Sequence, residues 1–339
     1  MTVPLLMDVD TGVDDAVALL YAVATPRAEL VAATCSAGNV PAPQAAANTR
    51  AVLDLAGATD VEVAQGALAP LVEPLRTAVS HGSTGLGYAD LVPEGRISGR
   101  FAADVIVENA RARPGELLLV VTGPQTNLAL ALRREPELPR LLRRLALMGG
   151  SFDHPGNSTP TAEFNILVDP EAAAIVFDAF SAPGVPRPLV CGLNVTERAE
   201  LRPEHVRRVA ELAGSEPAET LDPADGAGAR PRASKPLVRF LSDALRFKFE
   251  TLLSWGVGYL GHMHDPLALA LALDASLGET RAGTVDVELA GRLTRGMTVV
   301  DWAGHWKRPA NADVAVEIDF GRFTDELVGA LAGLARRTA

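Results

Sequence analysis

The sequence predicts an α/β fold: a single domain over residues 1–339 with a mostly parallel central sheet flanked by helices. Three observations carry that expectation. Short apolar runs alternate with amphipathic segments along most of the chain, as strand–helix–strand crossovers require. Leu117–Val121 reads LLLVV, a continuous aliphatic run suited to a strand covered on both faces. There is no internal repeat, and the one compositional break, Gly214–Pro236, is rich in Ala, Gly, Pro and acidic residues. It reads as a flexible surface insertion at 214–236, because the alternation resumes after it.

The elements follow in order. Val3–Met7 reads as a first strand and Asp15–Ala24 as the helix after it, then Leu30–Thr34 as a strand and Pro43–Leu55 as a helix. Leu117–Val121 is followed by a helix over Asn127–Arg133. Leu145–Met148 and Leu189–Leu193 are strands with the helix Glu171–Phe180 between them. A helix is expected over Leu267–Leu273. Val285–Leu289, Thr298–Val300 and Val314–Ile318 form a closing set of strands, before a C-terminal helix from Thr324 to Ala335. In such sheets ligands bind at the carboxyl ends of the strands.

Composition narrows the function. A net charge of −11 makes a nucleic-acid polymer an unsuitable partner. No apolar run reaches the ~20 residues of a membrane span, and the start, Met1-Thr2-Val3-Pro4, lacks the basic region of a signal peptide. A cytoplasmic location without membrane attachment is expected. Cys35 and Cys191 lie far apart in apolar stretches and read as buried free thiols.

Asp8, Asp10, Asp14 and Asp15 place four carboxylates within eight residues at the tip of the first strand. Two unit charges about 4 Å apart repel by ~4 kcal/mol at an effective dielectric near 20. Either some are protonated or a cation holds them together, and a hard divalent ion with oxygen ligands suits them. The plain alternative, that Asp14 or Asp15 caps the following helix, explains one aspartate and not four.

Two families share this kind of start. Asp8-Val9-Asp10-Thr11 at the end of a hydrophobic strand is similar to the start of phosphotransferases of the haloacid-dehalogenase type, with Asp8 as nucleophile and Asp10 as acid/base. That reading requires a phosphate-holding lysine and a later acidic pair. None of the three lysines (Lys235, Lys248, Lys307) sits in such a context, and no Gly-Asp-x-x-x-Asp occurs. Asp8-x-Asp10-x-Gly12-x-Asp14-Asp15-Ala16 resembles instead the inosine-uridine nucleoside hydrolases. Further motifs resemble that family in the right order: Gly38-Asn39-Val40, His81-Gly82 with Gly85-Leu86-Gly87, Thr122-Gly123-Pro124-Gln125-Thr126-Asn127, Met148-Gly149-Gly150 with Gly156-Asn157, Glu163-Phe164-Asn165 before Asp169-Pro170, His264-Asp265-Pro266, and Arg295-Gly296 with Asp301. The likeness runs from residue 3 to about residue 335. It departs at the 214–236 insertion and at Asn194, where an aspartate is expected.

The resemblance implies a nucleoside hydrolase-like open α/β domain that hydrolyses the N-glycosidic bond of ribonucleosides. It implies Ca2+ held by Asp10, Asp15, Asp265 and the Thr126 main-chain carbonyl. Asp10 is then the general base on a calcium-bound water and His264 the acid for the leaving base. Asp14, Asn39, Asn157, Glu163 and Asn165 form the implied ribose-binding set, with His81 near the base. Phe164 and Met148 are expected to line the pocket, although such residues serve as readily in a core. Trp255 and Tyr259, in a glycine-rich stretch, suggest a lid over the base. His262 and His264 can also be read as a zinc pair, but no third nitrogen or thiolate lies near in sequence. The family pattern adds a homodimer or homotetramer. A non-catalytic nucleoside- or ribose-binding protein is the remaining alternative; it would lack a base or an acid, and both Asp10 and His264 are present.

Overall fold

The computed structural model describes residues 2–219, 221–226 and 228–338. Among these residues eleven strands are formed: β1 (Val3–Val9), β2 (Ala28–Cys35), β3 (Glu62–Gln65), β4 (Leu118–Val121), β5 (Arg144–Met148), β6 (Leu189–Cys191), β7 (Glu200–Leu201), β8 (Gly261–His262), β9 (Gly278–Val287), β10 (Thr298–Asp301) and β11 (Ala312–Ile318). Nine of them make one sheet in the order β10-β9-β11-β6-β5-β4-β1-β2-β3, while β7 and β8 pair separately. From β11 to β3 all neighbours are parallel, and β9 and β10 close one edge antiparallel.

Side chains along the strands alternate between two apolar layers. Leu5, Met7 and Val9 of β1 face one layer and Leu6 the other; Leu118 and Val120 of β4 oppose Leu119 and Val121 in the same way. The sheet is therefore buried on both faces, and each such side chain contributes roughly 1.5–3 kcal/mol through burial. Among the described residues twelve α-helices accompany it: α1 (Val13–Ala24), α2 (Ala42–Leu55), α3 (Ala102–Ala112), α4 (Thr126–Arg134), α5 (Leu138–Leu141), α6 (Phe164–Val168), α7 (Pro170–Ala179), α8 (Leu193–Thr196), α9 (Pro203–Ala213), α10 (Pro236–Ser254), α11 (His264–Leu273) and α12 (Phe320–Arg337). Among the described residues no helix is long and apolar enough to cross a membrane. Cys35 and Cys191 are buried free thiols.

The chain lays β2 and β3 on one side of β1, then returns to place β4, β5 and β6 on the other. Between β1 and β4 the winding reverses, which opens a crevice at the carboxyl ends of those strands. The acidic cluster ends β1 at that crevice.

Some expected boundaries move. The strand foreseen over Leu189–Leu193 stops at Cys191, because Gly192 caps α8 and its carbonyl accepts from Val195 and Thr196. The strand foreseen over Val285–Leu289 spans Gly278–Val287; its first half is exposed and polar, so no apolar signal marked it. Residues 214–236 include Thr220 and Ala227, which lie outside the described residues. The rest of this segment packs on α10: Leu221 and Ala233 are buried, and Asp225 meets the buried Arg246 guanidinium at 3.1 Å.

Candidate active site

The four aspartates that end β1 divide by partner. Asp8 points into the sheet, where its Oδ1 accepts from Thr34 Oγ1 at 2.7 Å and Asn127 Nδ2 at 2.9 Å. Burial pushes its carboxyl up to about 7. Facing no cavity, Asp8 cannot reach a phosphoryl group, which removes the haloacid-dehalogenase alternative in which it is the nucleophile. Asp10 accepts from the Asn39 main-chain N–H at 2.6 Å and from Asn39 Nδ2 at 3.1 Å. Gly38 makes room for it, since a Cβ there would lie 2.1 Å from Asp10 Oδ2. Burial and then the Asp15 charge hold Asp10 well above the usual carboxylate range.

Asp15, in the first turn of α1, accepts from Gly12 N at 2.9 Å, Thr122 Oγ1 at 2.8 Å and Asn39 Nδ2 at 3.2 Å. Burial and the Asp14 charge raise it to about 6. Asp265 arrives from the other end of the chain, in the first turn of α11. Burial, then the charges of Asp14, Asp15 and Asp10, push it well above its ordinary value. Asp14 differs. Burial is the largest single influence and opposes its ionisation, but the Lys248 ammonium at 2.7 Å, His81 and His264 together hold Asp14 well below the usual range.

Asp14, Asp15 and Asp265 each offer an oxygen within 4.8 Å of the others. Oxygens that ligate calcium at about 2.3–2.6 Å stand up to about 5 Å apart across the ion. The tightest triplet thus contains Asp14 where the sequence suggested Asp10. Asp10 lies close enough to raise both Asp15's partner Asp265 and, in turn, feel Asp15. The donor set fits a hard divalent cation: the acids are buried, oxygen-only and mutually repelling. Among the described residues no histidine or cysteine joins a metal-holding group, so the His262–His264 zinc reading gains no third ligand.

Above these acids opens a cavity of about 650 Å³. The sequence-predicted Asp14, Asn39, His81, Met148, Asn157, Glu163, Phe164, Asn165, Trp255, His264 and Asp265 all line it. Glu163 caps α6, accepting from Asn165 N at 2.7 Å, Ile166 N at 3.0 Å and Gly150 N at 3.0 Å. Burial nonetheless raises it to about 7. Asn165 Nδ2 donates to the Thr122 carbonyl at 2.7 Å, and Asn157 Oδ1 accepts from Phe164 N at 3.0 Å.

His81 Nδ1 accepts from Val13 N–H at 2.9 Å, which leaves Nε2 as the protonated nitrogen of a neutral ring. His264 Nδ1 lies 2.8 Å from Thr196 Oγ1. Burial pushes both imidazoles down to about 3, so both are neutral near pH 7.

Four expected site residues do not line the cavity: Asp10 and Asp15 lie fully buried behind it, and Thr126 and Tyr259 turn elsewhere. Thr126 is the first residue of α4 and does not line the cavity; its hydroxyl donates to Asp169 Oδ2 at 2.6 Å. The threonine at the acids is Thr122, which ends β4. Tyr259 also misses the cavity and packs edge-on against Phe249, whereas Trp255 stands at the rim with 57% of its surface exposed. Lys248 and His262 line the cavity and were not foreseen. For Lys248 a signal existed: it falls on the Leu241, Leu245, Leu252 face of α10, where packing alone gives a charge no reason to be.

Comparison with known proteins bears on all of this. A family profile described as "Inosine-uridine preferring nucleoside hydrolase" matches residues 5–325. The inosine-uridine preferring nucleoside hydrolase of Leishmania major is 36% identical, over 96% of this chain and 96% of its own. The pyrimidine-specific ribonucleoside hydrolase RihA of Enterobacter sp. (strain 638) is 37% identical, over 99% of this chain and 100% of its own. Among solved structures, the purine-preferring ribonucleoside hydrolase from Gardnerella vaginalis superposes with a TM-score of 0.86 at 29% identity, covering 98% of this chain and 99% of that one.

Proposed function

The chain belongs to the inosine-uridine preferring nucleoside hydrolase family, and from this premise we infer that it hydrolyses the N-glycosidic bond of ribonucleosides, releasing ribose and free base. The observation that carries the inference is the buried group of Asp14, Asp15 and Asp265, with Asp10 close enough to feel the charge of Asp15 and Asp14. Two of them, Asp14 and Asp265, line a cavity walled by amides and carboxylates. An open cavity of this kind suits a small polyhydroxylated substrate.

Asp10, Asp15 and Asp265 are the proposed cation ligands, and Ca2+ the proposed ion, because its loose oxygen coordination tolerates several carboxylates and leaves room for more oxygens. For the main-chain oxygen beside them Thr122 is proposed ahead of Thr126, because Thr122 lines the cavity and Thr126 does not. A divalent cation there supplies positive charge that acidifies water and offsets the crowded carboxylates. Asp10, whose burial makes it a stronger base than an ordinary carboxylate, takes the proton from the attacking water. Attack at C1′ from the face opposite the base follows inverting-glycosidase logic. Asp14, Asn39, Asn157, Glu163 and Asn165 hold the ribose hydroxyls, while His81, Met148 and Phe164 border the base, with Trp255 at the rim as the surviving part of the lid idea.

His264 is the proposed leaving-group acid. Its neutral state limits the free enzyme to an N–H hydrogen bond toward the departing base, unless substrate raises its pKa. His264→Ala should therefore slow inosine about 10–100-fold and a nitrophenyl riboside, whose leaving group needs no proton, far less. Equal losses on both would remove the acid role. We further propose a cytoplasmic location and a homodimer or homotetramer, the latter checked by light scattering on the purified protein.

Ribose release from inosine, adenosine, uridine and cytidine tests the whole reading. Tight nucleoside binding without any ribose release would favour a non-catalytic binder instead.

A further inference from the structure

Lys248 has no part in the chemistry above, yet it is the buried cation of the cavity. Its side chain is 4% exposed, that of Asp14 is 5% exposed, and both line the cavity. Lys248 Nζ donates to Asp14 Oδ1 at 2.7 Å. An ammonium has three N–H donors, and among the described residues this is the one protein acceptor that Lys248 meets. Asp14 is left in a matching state. Its Oδ1 serves Lys248, while His81 Nδ1, 3.8 Å away, is occupied in accepting from Val13 and cannot donate. Asp14 Oδ2 meets no protein donor among the described residues. A buried charged donor and a buried charged acceptor thus stand side by side, each with capacity toward the cavity.

We propose that Lys248 is a specificity-determining residue: the Lys248–Asp14 pair reads one ribose hydroxyl in both of its hydrogen-bonding roles. The hydroxyl donates to Asp14 Oδ2 and accepts from a Lys248 N–H. A base carbonyl would use the lysine but meet the carboxylate with like polarity, whereas an alcohol satisfies both. With a sugar lacking that hydroxyl, the two groups still pair with each other through Oδ1. A buried Lys248 N–H and Asp14 Oδ2 are nonetheless left without a partner, which is how a polar site rejects a deoxy analogue. The scarcity of lysine fits a dedicated use, since the chain has three in 339 residues and this one interrupts an apolar helix face.

The proposal rests on the nucleoside-site reading but not on turnover, so binding decides it. Pseudouridine, whose carbon–carbon glycosidic bond resists hydrolysis, and its 2′- and 3′-deoxy forms are titrated by calorimetry into the calcium-loaded wild type and Lys248→Met. Lys248→Met should weaken pseudouridine about 10–100-fold and leave one of the two deoxy forms unchanged, the one missing the partner hydroxyl. Lys248→Gln, which keeps two N–H donors, should recover part of the loss and also serves if the methionine variant fails to fold. Equal losses across all three ligands, or none, overturn the proposal. Ribose release from uridine is measured beside it. A wild type that binds selectively but releases no ribose sinks the hydrolase reading and leaves the hydroxyl reading standing.

Discussion

Asp10→Ala should lower ribose release from any ribonucleoside by 10²–10⁴-fold or more, equivalent to roughly 3–5 kcal/mol of barrier, while the protein remains folded. The loss has two sources. The proton acceptor for water disappears, and one of the carboxylates assigned to the cation goes with it. Folding should survive because Asp10 is a strained member of the native state: burial and the Asp15 charge both disfavour its ionised form. What the truncation leaves behind is Asn39, whose main-chain and side-chain N–H groups both point at the missing carboxylate. A water in the vacated space can satisfy them. Circular dichroism and the melting temperature report the fold, and a reducing-sugar assay reports turnover. Undiminished turnover would remove Asp10 from the chemistry.

Chelation should produce the second large effect, and its size should depend on pH. Asp8 and Glu163 are raised to about 7 and Asp15 to about 6, in each case chiefly by burial, from ordinary values near 4. A folded-state pKa above the unfolded one means that the folded protein binds more protons. The stability these groups contribute is fully present below about pH 4 and is lost as pH rises through 6–7. Cation-free protein should therefore melt at a lower temperature at pH 8 than at pH 5.5. Calcium works in the opposite direction, because it binds the ionised carboxylates and must displace protons from Asp10, Asp15 and Asp265 at low pH. Saturating Ca2+ at about 100 times its Kd stabilises by about 2.7 kcal/mol, or roughly 5 °C for a chain of this size. That gain should be larger at pH 8 than at pH 5.5, and EGTA should abolish both the gain and the activity. A calcium response of equal size at both pH values would mean that the ion sits elsewhere.

Much of the site was legible because its residues come in tight local groups. Asp14-Asp15 opening a helix, Glu163-Phe164-Asn165 at a helix cap and His264-Asp265-Pro266 at another each carry their chemistry within three residues, and each group sends at least one side chain to the same cavity. What failed was the assignment of direction within a motif. Thr122 and Thr126 share one turn, and composition does not say which faces the acids. In the fold, Thr122 ends β4 at the crevice, while Thr126 turns into α4 toward Asp169. Tyr259 failed for a related reason, since a neighbouring aromatic, Phe249, takes its ring away from the cavity.

The sequence by itself determined the strand–helix alternation, because apolar period and turn chemistry are local properties of the chain. It also marked Asp8, Asp10, Asp14 and Asp15 as a group in need of positive charge, since four carboxylates within eight residues cannot be explained by packing, and the family resemblance added Asp265. Tertiary structure alone decided which carboxylate received which partner. Asp14 and Lys248 are 234 positions apart in the chain, and only the packing of α10 against α1 brings an ammonium to that one aspartate while Asp10, Asp15 and Asp265 remain without a protein cation of their own at bonding distance. Charges separated that far along a chain are independent until folding removes the water between them; the low dielectric of the interior then makes the pairing decisive.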